Sequence, residues 1–130
     1  EGNLNQRTVD IGADFPVALN DTLTNLESAA QGEHEEYAAL YPQFGQIAAE
    51  EGFPGIAKLF QNIASIEKNH EERFLAFYDL VKKNQLLKKD VEIAWVCSVC
   101  GYVHTGMEPP QICPVCKHEK GYYQVDIKAY

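Results

Sequence analysis

The sequence predicts a protein of the α plus small β class: a helical hairpin, half of a four-helix bundle, followed by a small metal-bound β domain. Apolar residues recur at helical spacing over about 22–51 and about 55–84, with a short break between these segments. All four cysteines follow after residue 95, as two Cys-x-x-Cys pairs. These patterns divide the chain into an arm over 1–20, a hairpin over 21–86 and a β domain over 91–130.

Composition and charge restrict the class of partner. The 130 residues carry a formal net charge of −8, and the acidic residues are spread along the chain. A nucleic-acid partner is not expected, because such binding requires a basic surface. A membrane partner is not expected either, since no apolar run approaches the roughly 20 residues of a membrane-spanning helix. Cysteines spaced for metal binding, and not as a disulfide framework, predict a reducing compartment.

The N-terminal arm, residues 1–20, has Gly, Asn, Asp and Pro at irregular intervals and no helical period. We expect an extended arm or a crossover connection there. Asp21 and Thr22 then form an N-cap signal at the start of the first helix. The apolar stripe of that helix consists of Leu23, Leu26, Ala30, Tyr37, Leu40, Phe44 and Ile47.

The second helix follows a break at Gly52, Phe53, Pro54 and Gly55. A connection this short makes the two helices an antiparallel hairpin. The second apolar stripe consists of Ile56, Phe60, Ile63, Phe74, Phe77 and Val81. Residues 91–130 are instead rich in β-branched and aromatic residues separated by turns. About forty residues bury too little apolar surface to fold unaided, so the metal is expected to organise this β domain.

The hairpin carries ionisable residues on its apolar stripes. Glu33 occupies a stripe position in the first helix, and Glu67 and His70 occupy stripe positions in the second. Glu36 borders the same face, one turn after Glu33. A lone glutamate at mid-helix is usually solvated, and a lone histidine on a stripe is usually a satisfied core residue. Several such residues at matching positions along two neighbouring helices favour a metal site instead, because burying carboxylates without a cation is costly.

The Glu67-x-x-His70 spacing places a carboxylate and an imidazole one turn apart on one face. Together with a glutamate of the neighbouring helix, this pair is half of a di-iron or di-manganese carboxylate site in a four-helix bundle. We therefore predict that Glu33, Glu36, Glu67 and His70 are metal ligands. The remaining mid-chain glutamates are expected on a solvated face: Glu35, Glu50, Glu51, Glu71 and Glu72.

The cysteine pairs, Cys97-x-x-Cys100 and Cys113-x-x-Cys116, are separated by a twelve-residue loop. Each pair can form a tight turn around one metal, and two facing turns supply a tetrahedron of thiolates. Gly101, directly after the first pair, allows the backbone to direct N–H groups at the sulfurs. Iron would make this site an electron carrier and zinc would make it structural, since tetrahedral sulfur ligation suits both metals. Two disulfides are the alternative without a metal.

Several segments of the chain, taken together, resemble rubrerythrin. They are GEHEE at 32–36, LYPQF at 40–44, EKNHE at 67–71 and the Cys-x-x-Cys-Gly-Tyr and Cys-Pro-x-Cys modules. The resemblance covers about residues 14–126 and includes two unrelated metal motifs in the family's order. It implies a ferritin-like four-helix bundle with a non-haem di-iron centre, followed by a rubredoxin-like domain with a mononuclear Fe(Cys)4 site. It favours iron at the cysteines and keeps zinc as a substitute.

The resemblance also implies roles for individual residues. Glu33 and Glu36 match two glutamates of the family's third bundle helix, and Glu36 matches the one that changes coordination with iron oxidation state. Glu67 matches a bridging carboxylate, and His70 matches its partner ligand on the fourth helix. Tyr41 matches a tyrosine that hydrogen-bonds a ligating carboxylate. The four cysteines match fully.

The chain departs from the family in what it lacks. A family member has two further helices before the crossover, with another glutamate and another Glu-x-x-His motif. Those helices are expected either from a separate, cleaved or longer upstream polypeptide, or from a second copy of this chain in a homo-oligomer. The upstream source is favoured, because residues 1–20 look like a connection from a preceding segment. Lys117 is a smaller departure, since rubredoxins often have glycine there.

The function that the resemblance implies is reduction of hydrogen peroxide to water by a cytoplasmic, non-haem di-iron peroxidase. The rubredoxin-like iron site re-reduces the di-iron centre, and an external electron donor, a reductase or a small redox protein, supplies the electrons. The alternative is a ferritin-like iron-binding or electron-transfer protein without peroxidase turnover. A third hypothesis is a structural zinc-ribbon partner subunit whose helical carboxylates are merely solvated.

Overall fold

The computed structural model describes residues 19–127, together with residues 12 and 17. The arm predicted over 1–20 therefore lies almost entirely outside the described residues. The described chain forms helices joined by a π-helical turn, and then a small sheet. The helices are α1 (Thr22–Glu35), α2 (Tyr41–Glu50) and α3 (Pro54–Lys82), and the π-helical turn spans Glu36–Leu40. The strands are β1 (Ile93–Cys97), β2 (Val103–Gly106) and β3 (Tyr123–Val125).

The helices begin and end where their sequence signals predict. Asp21 accepts a 2.8 Å hydrogen bond from the backbone N–H of Thr24, and this bond lowers the pKa of the Asp21 carboxyl. At the end of α2, Gly52 adopts a positive φ of 86°, and the N–H of Phe53 donates to the carbonyl of Ala48 at 2.8 Å. This Schellman arrangement stops the helix. The chain reverses there, and α3 packs along both α1 and α2 as the predicted hairpin.

The π-helical turn changes which residues of α2 face α3. Tyr41 stacks on Phe60 with ring centroids 6.0 Å apart, and Gly45 and Ala48 are buried. The predicted stripe had placed Leu40, Phe44 and Ile47 inward, but these side chains are 42%, 41% and 42% exposed. A π-turn contains one residue more than an α-turn, so the inward face after it is displaced by one position. The apolar stripe after the π-helical turn therefore lies beside the face that packs on α3, and Phe44 still contacts Phe60 with ring centroids 5.5 Å apart.

The described helices bury only small residues. These are Ala30, Gly45, Ala48 and Ala57. Large apolar side chains of α2, α3 and the π-helical turn instead remain substantially exposed, among them Leu40, Phe44, Ile47, Ile56, Leu59, Ile66 and Phe77. No helix of the described chain combines the length and apolar character that crossing a bilayer requires. The exposed side chains therefore form an uncovered face of a hairpin, as expected for half of a bundle.

The β domain has a core of its own. Its strands form an antiparallel sheet in the order β2-β1-β3, with Trp95 opposite His104 on one side and Val125 on the other. The core consists of Trp95, Cys97, Cys113 and Tyr123, with Leu87, Ile93, Tyr102 and Cys116 packed against it. The indole N–H of Trp95 donates to the carbonyl of Gly106 at 2.9 Å. Half of this core is cysteine, so its packing depends on what the sulfurs bind.

The close approach of α2 to α3 at Gly45 gives a test of the hairpin packing. A Cβ on Gly45 would lie 3.4 Å from the carbonyl oxygen of Ala57 and 3.6 Å from Cβ of Phe60. Gly45→Ala is therefore tolerated, whereas Gly45→Leu destabilises the hairpin by about 1–3 kcal/mol through overpacking. Thermal unfolding followed by circular dichroism measures the change. Gly55→Leu is the matched control, since a Cβ there would meet nothing within 4 Å apart from its own helix backbone and chain neighbours. An equal loss in both variants would contradict the packing argument.

Candidate metal centres

The four cysteines lie in a geometry that fits one metal ion. Their sulfurs all lie within 4.8 Å of one another. The Cys97–Cys116 and Cys100–Cys113 sulfur pairs are 3.6 and 3.7 Å apart, and none of the four cysteines is in a disulfide. A tetrahedron with metal–sulfur bonds of about 2.3 Å has edges of about 3.8 Å. The spacing therefore suits tetrahedral thiolate ligation and disfavours the disulfide alternative.

Two similar turns present the cysteine pairs. In the first, the N–H of Gly101 donates to the carbonyl of Cys97 at 2.8 Å, and Gly101 has φ 77°. In the second, the N–H of Lys117 donates to the carbonyl of Cys113 at 3.0 Å, and Lys117 has φ 64°. Left-handed backbone is unfavourable for lysine, but the ammonium of Lys117 donates to the carbonyl of Pro114 at 2.9 Å. Lysine at this position therefore retains the turn that glycine would form with less strain.

The electrostatics of the four thiols also indicate a cation. Burial disfavours the Cys113 thiolate, but hydrogen bonds from the Cys116 backbone and the influence of the nearby Tyr123 hydroxyl outweigh it and lower the pKa of Cys113 to about 6. The pKa of Cys116 rises to about 12, because burial and the three neighbouring sulfurs outweigh a hydrogen bond from the His118 backbone. Four adjacent thiols cannot all ionise against one another. A metal ion removes this conflict by taking the thiolates as ligands.

A second group of metal-binding side chains lies between α1 and α3. Glu33, Glu67 and His70 each place a ligand atom within 4.8 Å of the others, and all three are partly buried. Nδ1 of His70 is 2.6 Å from Oε2 of Glu67 and 3.6 Å from Oε2 of Glu33. Burial, and then the charge of Glu67, raise the pKa of Glu33. The helical register thus brings together three of the four ligands that the sequence predicts.

Glu36 and Tyr41 adjoin this group at the two ends of the π-helical turn. Glu36 is not among the three side chains with converging ligand atoms, but its charge contributes to the raised pKa of Glu33. Burial, the charges of Glu36 and Glu67, and a hydrogen bond with Glu36 raise the pKa of Tyr41. Glu36 thus lies beside the converging side chains and interacts with Tyr41. The assignment of these residues as ligand and carboxylate partner stays a prediction.

One residue of this region was misassigned from the sequence. Glu71 was expected on a solvated face, but its side chain is only 17% exposed and lies 2.9 Å from Nδ1 of His34. The hydroxyl of Tyr37 is 3.2 Å from the same nitrogen. The register that brings Glu33 towards His70 also brings the next residue of each helix together. The adjacency of His34 to Glu33 and of Glu71 to His70 in the sequence could have predicted this contact.

Removal of the cysteine-bound metal is expected to unfold the β domain. The metal holds half of the core, and thiolate-bound metal contributes most of the folding free energy of such small domains. Trp95, the single tryptophan of the chain, is 0% exposed and packs against Cys97 and Cys113. Chelation of the zinc-loaded protein should shift its fluorescence emission to longer wavelength, while most helical circular dichroism persists. Restored zinc should reverse the shift; unchanged emission after complete chelation would show that the core forms without metal.

Substitution of Glu67 or His70 by alanine is expected to remove metal from the helical group alone. The variants should lose metal relative to the unsubstituted protein, because each removes one of three converging ligands, and the cysteine-bound metal should remain. Elemental analysis of metal per chain measures this change. Glu72→Ala is the control, because Glu72 lies on the exposed face of the same helix. Equal metal loss in the control would count against the assignment.

Comparison with known proteins matches both parts of the chain. A family model described as rubrerythrin matches residues 4–78, and one described as the rubredoxin-like domain of rubrerythrin matches residues 95–124. Rubrerythrin-1 of Clostridium acetobutylicum is 42% identical over 128 residues, which are 98% of this chain and 66% of that protein. Rubrerythrin of Nitratidesulfovibrio vulgaris is 42% identical over 118 residues, which are 90% of this chain and 62% of that protein.

A solved structure supports the same assignment. Nigerythrin in its fully reduced, all-ferrous state matches with a TM-score of 0.50 at 29% identity, over 95% of this chain and 57% of that chain. The chain thus spans about two thirds or less of the length of these relatives. Iron is the metal that the family uses, in agreement with the cofactor predicted for both ligand groups. With both metal-ligand groups present and both parts matched, the chain belongs to the rubrerythrin family.

Proposed function

We propose that this chain forms part of a non-haem di-iron peroxidase that reduces hydrogen peroxide to water and is re-reduced through its four-cysteine iron site. The family is one of oxidoreductases. The observation that supports the specific activity is the presence of two ligand groups of different chemistry in one chain. Carboxylate and imidazole ligands suit iron that reacts with oxygen species, whereas four thiolates suit one-electron transfer.

The helical side chains would hold and orient the reactive metal pair. Glu33, Glu67 and His70 are the converging ligands, and Glu36 is the adjacent carboxylate that would join them. Bound iron supplies the two electrons that cleavage of the peroxide O–O bond consumes, and two protons enter to give two water molecules. The hydroxyl of Tyr41, which interacts with Glu36, would set the orientation of that carboxylate.

Further helices are needed to complete this site. Three converging side chains are too few for two metal ions, whose bundle sites take ligands from four helices. The hairpin also leaves large apolar side chains such as Phe44, Leu59 and Ile66 substantially exposed. We infer that two more helices cover this face, from a longer form of the polypeptide or from a second copy in a homo-oligomer. Native mass spectrometry distinguishes these sources by the number and kind of chains per particle.

The proposed enzyme needs an electron donor and a compartment that keeps its cysteines reduced. One-electron transfer through the cysteine site requires an external donor, a reductase or a small redox protein. A cytoplasmic location fits four cysteines kept free for metal binding. No basic surface for nucleic acid is expected from a chain of net charge −8.

Steady consumption of hydrogen peroxide tests the proposed activity. The assembled, iron-loaded protein should consume peroxide catalytically with an enzymatically regenerated small redox protein as donor. Tyr41→Phe should retain its iron and lower the rate about 10–100-fold, because the hydrogen bond to Glu36 is lost. Tyr78→Phe, on the distant part of α3, is the matched control.

Peroxide consumption and metal content also distinguish the proposed peroxidase from the other two candidate functions. Oxidation of bound iron in one round, without continued peroxide consumption, would support the ferritin-like iron-binding or electron-transfer protein. A colourless protein with zinc at the cysteines and no metal at the helices would support a structural zinc-ribbon subunit. Equal rates for Tyr41→Phe and the unsubstituted protein would remove the role proposed for Tyr41.

A further inference from the structure

The β domain contains a buried polar group with no role in the proposed activity, the hydroxyl of Tyr123. The Tyr123 side chain is 4% exposed and lies in the core with Trp95, Cys97 and Cys113. Its hydroxyl oxygen is buried and makes no hydrogen bond of regular geometry with any described residue. Buried hydroxyl groups in folded proteins nearly always have an acceptor, so this one requires an explanation.

The sheet places this hydroxyl beside the thiolate group. Tyr123 on β3 is directly opposite Cys97 on β1, and residues in such a pair project their side chains from the same face of the sheet. Cys113 completes the same buried cluster. Cys113 is 0% exposed and Tyr123 only 4%, so the hydroxyl is shielded from water within a cluster in which the neighbouring polar atoms are sulfurs. The acceptor available to the hydroxyl is therefore a sulfur that becomes a metal-bound thiolate.

We propose that the Tyr123 hydroxyl donates a hydrogen bond to the Cys113 sulfur when the four cysteines hold iron, and that this bond raises the reduction potential of the site. Reduction adds one electron from an external donor and breaks no bond in the protein. The added negative charge is shared by the sulfurs, so the O–H dipole stabilises the ferrous form more than the ferric form. Loss of the hydroxyl would shift the site towards the ferric form.

This inference rests on iron at the cysteines and not on peroxide turnover. The potential is measured on the isolated, iron-loaded protein, without peroxide and without a physiological donor. If the protein does not consume peroxide, the proposed hydrogen bond is therefore unaffected. If the potential does not change in the variant, the proposed peroxidase activity is unaffected. The inference concerns a single hydroxyl, so a substitution of tyrosine by phenylalanine addresses it directly.

The test is spectroelectrochemical titration of the iron-loaded Tyr123→Phe variant, with Tyr122→Phe as the matched control. Tyr122 is the adjacent residue, and its side chain is exposed and contacts His118. In Tyr123→Phe the ferric-to-ferrous ratio at a fixed potential should rise three- to tenfold, which corresponds to a potential lower by about 30–59 mV for one electron. The control should stay within twofold of the unsubstituted protein. An unchanged potential in Tyr123→Phe overturns the proposal.

A measurement on the unsubstituted protein covers the case in which Tyr123→Phe does not retain metal. The cysteine site is loaded with cadmium-113, which thiolates bind readily. A hydrogen bond from Tyr123 to a metal-bound sulfur should give a slowly exchanging hydroxyl proton with a scalar coupling to the cadmium. Detection of that coupling on the tyrosine hydroxyl supports the proposal. A hydroxyl proton without the coupling contradicts it, whatever the stability of the variant.

Discussion

Mutual repulsion between ligand groups is the constraint on which this structure depends. The four sulfurs lie within 4.8 Å of one another, and so do the ligand atoms of Glu33, Glu67 and His70. Burial and the charge of Glu67 raise the pKa of Glu33, although His70 opposes that shift. Burial and the neighbouring sulfurs likewise raise the pKa of Cys116. Cations relieve the repulsion at both places. The same geometry that is unfavourable for free acids is therefore favourable for metal ligands, and metal binding becomes part of folding.

The two ligand groups depend on different kinds of support. The thiolates are presented by two short turns whose backbone N–H groups lie close to the sulfurs, so the β domain fixes its own site locally. The helical group instead depends on the relative register of α1 and α3. Where α2 meets α3, small residues such as Gly45 and Ala57 allow the two helices to approach closely. Larger apolar side chains remain substantially exposed on the described hairpin, whereas the cysteine site lies within a buried core of its own.

The π-helical turn affects both the packing of α2 on α3 and the residues beside the helical ligand group. It begins at Glu36 and ends immediately before Tyr41, so both residues associated with the helical group lie at its boundaries. The extra residue turns Tyr41, Gly45 and Ala48 towards α3 and leaves Leu40, Phe44 and Ile47 more exposed. A change of one residue in helical phase thus places Tyr41 and two small residues against α3, and leaves a substantial part of the surface of the larger apolar residues uncovered by the described hairpin. π-Turns are frequent at functional sites for this kind of reason.

The sequence alone determined the class of fold, and it predicted the hairpin and both ligand groups. Local rules suffice for these features: Cys-x-x-Cys spacing, helical periodicity, the cap at Asp21 and the glycine-rich break after α2. Only the tertiary structure showed the π-turn, the pairing of His34 with Glu71 and the burial of the Tyr123 hydroxyl in the β-domain core. A π-turn depends on packing between helices and leaves no periodic signature, so spacing counted along a regular helix fails beyond it. The other two features depend on which residues meet across elements distant in sequence, and that is decided by register and not by composition.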